Sequence, residues 1–123
     1  MIRYIVFLIL STVSFSLYPH ELSNGYLVLR GESNEALSGE LSLKPEDIGQ
    51  AAGLDTDNNG KLTWGEVITN QNLAINYIQN HLIIRDSQSR CSLSITLPTM
   101  QNISAESLLV YPLAVNCTHI GEI

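Results

Sequence analysis

Asp55-Thr56-Asp57-Asn58-Asn59-Gly60-Lys61-Leu62-Thr63-Trp64-Gly65-Glu66 is the stretch whose reading decides the rest of the chain. It places side-chain oxygens at its first, third, fifth, ninth and twelfth positions, on Asp55, Asp57, Asn59, Thr63 and Glu66. Calcium is a hard cation that takes six to eight oxygens at about 2.3–2.6 Å, and a loop with this spacing supplies them. Gly60, sixth in the stretch, permits a bend that a Cβ would strain. Lys61 offers only its backbone carbonyl, so its charge is free to face solvent, and Thr63 ligates directly or through water. Glu66 brings two oxygens, which favours calcium over the smaller, strictly octahedral magnesium. Leu62 is apolar, as needed to pin the loop against a core or a partner loop. Asp, Asn and Gly also cluster in ordinary turns. An ordinary turn, however, requires neither a carboxylate six places after its glycine nor helical patterns on both sides. The expected ligand set is therefore Asp55, Asp57, Asn59, Lys61, Thr63 and Glu66, and the expected ion is calcium.

Working outward, Pro45-Glu46-Asp47 opens a helix, with proline at an early position and acids at the positive end of the dipole. This helix runs through Ile48, Ala51 and Ala52 to Gly53-Leu54. A second helical stretch is expected from Thr63, with Trp64, Val67, Ile68, Ala74, Ile75, Ile78 and Leu82 on one core-facing stripe. The helix-loop-helix thus spans about 45–82. Before it, Gly25 to Arg30 is apolar and β-prone, and Leu37, Gly39, Leu41 and Leu43 alternate with polar residues, as a half-buried strand requires. After it, Leu82 to Arg85 and the alternating Cys91, Leu93, Ile95 and Leu97 read as strands. Pro98 ends the second of these. Leu108 to Tyr111 and Leu113 to Val115 form the last strand, in which Pro112 implies an edge or a bulge. The predicted class is α+β: a small antiparallel, sandwich-like sheet with an inserted helix-loop-helix.

The N-terminus has the layout of an export signal over residues 1–16. Arg3 precedes the apolar Ile5 to Leu10, and Ser14-Phe15-Ser16 offers a small-x-small cleavage site. The competing reading is a membrane anchor, but the apolar run is shorter than the roughly 20 residues that cross a bilayer. Residues 17–123 are then one extracytoplasmic domain, periplasmic or secreted. Cys91 and Cys117 are the only cysteines, and an isolated pair in an oxidising compartment usually bonds to itself. A redox or metal-ligand pair is the alternative, without C-x-x-C spacing or neighbouring histidines to support it. The net charge of −6 and the six scattered lysines and arginines argue against nucleic acid.

The loop resembles an EF-hand. The wider order of features resembles the extracytoplasmic N-terminal domain of HupE/UreJ-type membrane proteins. The residues that carry this are the His-led segment His20-Glu21-Leu22-Ser23-Asn24-Gly25-Tyr26-Leu27, the segment from Leu54 to Glu66 with its Trp-Gly-Glu ending, and Cys91 and Cys117. Such proteins continue into a multi-helix domain linked to the transport of nickel or related metals. This sequence reaches Ile123 without a spanning segment, so transport is not assigned to it.

Two functions follow as expectations. The first is a calcium-stabilised binding or accessory module for a membrane protein or another exported partner. The second is a nickel or copper accessory domain, which the resemblance implies and for which His20, His81 and His119 are the available imidazoles. The three are far apart in sequence and form no H-x-H or H-x-x-x-H pattern. No nucleophile motif such as G-x-S-x-G occurs, so no enzymatic activity is expected.

Overall fold

The computed structural model describes residues 24–33 and 35–118. The export signal, His20 and His119 lie outside the described residues. In chain order the elements are β1 (Tyr26–Gly31), β2 (Ala36–Leu43), α1 (Pro45–Ala52), α2 (Trp64–Thr69), α3 (Gln71–His81), β3 (Ser92–Ile95), β4 (Thr99–Ile103) and β5 (Glu106–Asn116). The strands form a five-stranded sheet in which every pairing is antiparallel. The chain is α+β, but the described strands make one sheet rather than a sandwich. Helices supply the second layer: Ile48, Leu54, Val67, Ala74 and Ile78 pack with Ile95, Leu109, Tyr111 and Leu113 of the sheet. Burying each of the larger of these side chains contributes about 1.5–3 kcal/mol. Tyr111 is 1% exposed, and its hydroxyl has no hydrogen-bond partner. Burial pushes that hydroxyl up to about 12.

β5 is the axis of the sheet. It pairs with β2 along one side, and with β3 and β4 end to end along the other. Pro112 therefore sits in a central strand rather than at an edge, opposite a bulge in the neighbouring strands, and the reason is local. Its carbonyl accepts the Thr96 amide at 3.2 Å, so its nitrogen faces the same side, just beyond where the β3 ladder stops at Ile95↔Leu113. On the β2 side Pro112 opposes Glu40 in a pair that exchanges no hydrogen bonds, so the missing N–H is not needed. The bulge lies across from it. Between Ile95↔Leu113 and Thr99↔Val110 the β3–β4 side advances four residues while β5 advances three.

β4 has no counterpart in the sequence reading. Its five residues are all exposed, so no apolar alternation marks it. It joins β5 through a two-residue turn at Ser104 and Ala105, whose φ of 51° and 64° are both left-handed. Such a turn matches the natural twist of a hairpin. The expected strand over Leu82 to Arg85 is reduced to a single bridge between Arg85 and Arg90. There the Asp86 carboxylate accepts the amides of Gln88 and Ser89 and forms a compact turn. The long helix expected from Thr63 is two helices. Asn70, at φ −106° and ψ 21°, separates α2 from α3, and its side chain donates to the Leu54 carbonyl at 3.4 Å. Trp64 accordingly leaves the core stripe and is 48% exposed.

Cys91 and Cys117 are disulfide-bonded, with Cα atoms 4.5 Å apart. Extending the β3–β5 register by one step sets them directly opposite, at a position that exchanges no backbone bonds, where the side chains stand closest.

Two stability outcomes follow. Ala105→Gly relieves a left-handed alanine and should raise the unfolding free energy by about 1 kcal/mol in urea titration. Replacing both cysteines by alanine should lower it by about 3 kcal/mol, the contribution of closing a loop of this length in the unfolded chain.

Candidate metal-binding loop

The loop from Asp55 to Glu66 is anchored at both ends. On the incoming side Gly53 adopts φ 74° and closes α1, and the Gly49 carbonyl accepts the Leu54 amide at 2.8 Å and the Asp55 amide at 3.4 Å. Leu54 is fully buried. On the outgoing side Thr63 caps α2. Its hydroxyl accepts the Glu66 amide at 3.2 Å, and the Glu66 carboxylate accepts the Thr63 amide at 3.2 Å, which makes a capping box. In the middle, Leu62 packs against α1 at Gly49, its side-chain carbons 3.4–3.7 Å from where a Cβ would stand. Leu62 thus fills the anchoring role expected of it, against the chain's own helix.

Backbone amides then aim the carboxylates inward. Asp55 Oδ2 accepts the Gly60 amide at 2.9 Å, across the bend that Gly60 makes at φ 79°. Asp57 accepts the Asn59 amide at 3.3 Å and the Asn59 side-chain N–H at 3.0 Å. Asn59 Oδ1 in turn accepts the Lys61 amide at 2.8 Å. Glu66 reaches back over the loop: Oε2 accepts the Thr56 amide at 2.8 Å, while Oε1 accepts the Thr63 hydroxyl at 3.0 Å. Oxygens of Asp55, Asp57 and Glu66 all lie within 4.8 Å of one another. Two ligands on opposite sides of a calcium ion, each about 2.4 Å from it, are separated by that distance.

Electrostatics register this crowding. The carboxyl of Asp57 is raised above its ordinary value, first by a side-chain hydrogen bond with Asp55 and then by desolvation, with the charges of Glu66 and Asp55 adding to it. Glu66 is lowered, because the amides of Thr63 and Thr56 and the Thr63 hydroxyl stabilise its anion more than desolvation and the charge of Asp55 oppose it. The Asp55 Oδ1 atom is buried and has no hydrogen-bond partner. A buried acceptor without a donor carries a desolvation cost that a cation would offset. The donor set is all oxygen, which suits a hard divalent ion and not a soft one.

Of the six residues expected to ligate, the fold gathers Asp55, Asp57 and Glu66. Asn59 and Thr63 are partners to those carboxylates within the loop, and Lys61 lines a hollow of about 310 Å³ between loop and α1, with Asp55, Glu46 and Gln50. Sequence reasoning missed Thr56, Gly49 and Asn70, which hold the frame. Only Gly49 left a signal, as an isolated glycine inside a helical pattern. His81 stands apart from the cluster: its ring stacks on Tyr77 at 4.0 Å and its Nδ1 lies 2.7 Å from the Tyr77 carbonyl. Among the described residues the acidic loop is the one group of this kind. No family model, curated protein or solved structure matches the chain.

The double duty of Glu66 separates framework from charge. Glutamine preserves a capping box, so with chelator present Glu66→Gln should melt close to the parent, whereas Glu66→Ala should melt a few degrees lower. Thermal unfolding followed by circular dichroism measures both.

Proposed function

We propose that this chain is an exported domain that binds one calcium ion through Asp55, Asp57, Asn59, the Lys61 carbonyl, Thr63 and Glu66. The ion's role is structural, in an EF-hand-like helix-loop-helix. The observation that carries this reading is the gathering of three carboxylates with oxygens within 4.8 Å of one another, one of which, on Asp55, also has a buried oxygen without a donor. The carboxylates belong to a loop whose two ends are fastened to different helices, so an ion between them clamps α1 to α2. Removing it leaves like charges in contact and loosens that junction.

The affinity follows from the donor set. With three carboxylates, a neutral Asn59 and one loop of this kind in the sequence, binding belongs with extracellular modules, at about 10⁻⁴–10⁻³ M. Such an affinity serves a compartment where calcium is plentiful, and the disulfide fits a non-cytoplasmic setting. No helix among the described residues is long and apolar enough to cross a membrane. We place the domain outside the cytoplasm as a binding or accessory module for a membrane protein or another exported partner, in line with its resemblance to the HupE/UreJ-type N-terminal domain.

Calcium-dependent melting tests the proposal. At about 100 times Kd, one site contributes about 2.7 kcal/mol, a rise in Tm on the order of 10 °C. The Asp55→Asn/Asp57→Asn double variant should show no such rise. An equal rise in that variant, or none in the parent, contradicts the assignment.

A further inference from the structure

The two edges of the sheet are built differently. The β3–β4 edge is broken by Pro98 and by its one-residue slip against β5, two of the devices by which proteins keep strand edges from pairing with other chains. The β1 edge has neither. Tyr26, Leu27, Val28 and Leu29 are consecutive and 36–48% exposed, and the strand runs in unbroken register against β2.

The direction of its free backbone groups is fixed by the ladder. The Glu32 amide donates to the Ala36 carbonyl, so even-numbered residues of this strand point their N–H and C=O groups at β2. Val28 faces inward in this sense, and Leu27, Leu29 and Gly31 present theirs outward.

We propose that β1 is a self-association edge, on which two copies of this chain pair antiparallel about a two-fold axis at Val28 and join their sheets into one. In that register the outward groups meet outward groups. Leu27 exchanges both hydrogen bonds with Leu29 of the second copy, and Gly25 stands opposite Gly31. Val28 meets its own symmetry mate at a position without backbone bonds, where side chains approach most closely. Tyr26 falls opposite Arg30, an arrangement suited to a cation–π contact. Charge favours the same pairing. From Gly25 to Gly31 the sequence has no acid and one cation, Arg30, on a chain of net charge −6, so two acidic molecules can approach here without opposing carboxylates. The two Arg30 side chains sit at opposite ends, four residues or about 14 Å apart, which exceeds the screening length of about 8 Å at physiological salt. A parallel pairing would set them side by side. One six-residue edge is a small interface, so the association belongs to the weak, transient class.

Sedimentation equilibrium of the purified protein from about 10 μM to 1 mM tests this, a range spanning weak affinities. The expected result is a reversible rise in mass toward the dimer. Val28→Lys, which brings two ammonium groups face to face, should weaken association at least tenfold. Leu27→Pro should do the same by deleting an outward N–H that no bond among the described residues uses. Ile103→Lys, on the opposite edge, should leave it unchanged. Val28→Cys should form an intermolecular disulfide under mild oxidation, faster than Leu97→Cys, and this keeps the proposal testable if another variant misfolds. A protein that stays monomeric throughout the range overturns it. So does association that survives Val28→Lys, or cross-linking no faster at Val28 than at Leu97.

Discussion

The burial of Leu54 fixes where its neighbour Asp55 must stand. Leu54 lies in the core with Ile48 and Val67, and Gly49 of α1 and Asn70 at the α2–α3 junction hold its backbone. Truncating such a side chain costs about 2–5 kcal/mol, so the chain is not free to lift this corner to relieve strain nearby. Asp55 is thereby committed to the interior of the loop, with one oxygen taken by the Gly60 amide and the other buried without a donor. The turn at Gly60 and the capping box at Thr63 then deliver Asp57 and Glu66 to the same point. Packing energy at Leu54 is thus what brings the like charges together, and the fold sustains a cluster that solvated acids would avoid.

The sheet provides the rigid floor for that arrangement. β5 bonds on both sides along most of its length and carries Leu109, Tyr111 and Leu113 into the core that receives Leu54 and Val67. The disulfide closes the far end of the same strand against β3, away from the loop. Two separate fastenings result. One is covalent and belongs to the sheet; the other is the proposed ion, which would belong to the helices.

Much of this was legible in the sequence, and the exceptions share a cause. Local chemistry reads directly: Pro45 and Gly53 mark the ends of α1, Gly60 marks the bend, and the Leu37–Leu43 alternation marks β2, because each depends on backbone conformation or residue pattern within a few residues; the burial of Ser42, on the polar side of that pattern, does not read. Features set by neighbours in space do not read. β4 shows no alternation because both its faces are exposed. Pro112 is tolerated centrally only because the β3 ladder ends opposite it, and Asn70 breaks a helix in order to serve the carbonyl of Leu54, sixteen residues earlier. Within the loop, the spacing identified the carboxylates that the fold gathers. It gave no hint of Thr56, whose amide matters only once Glu66 has folded back over it.

The proposed oxygen cage for one divalent ion is tested most directly by calorimetric titration of calcium into chelator-stripped protein. The predicted outcome is a single saturable site per chain in the range of about 10⁻⁴–10⁻³ M, abolished when Asp55 and Glu66 are both converted to their amides. Heat no greater than dilution up to about tenfold above that range, or one equivalent still bound by the doubly neutralised protein, would contradict it.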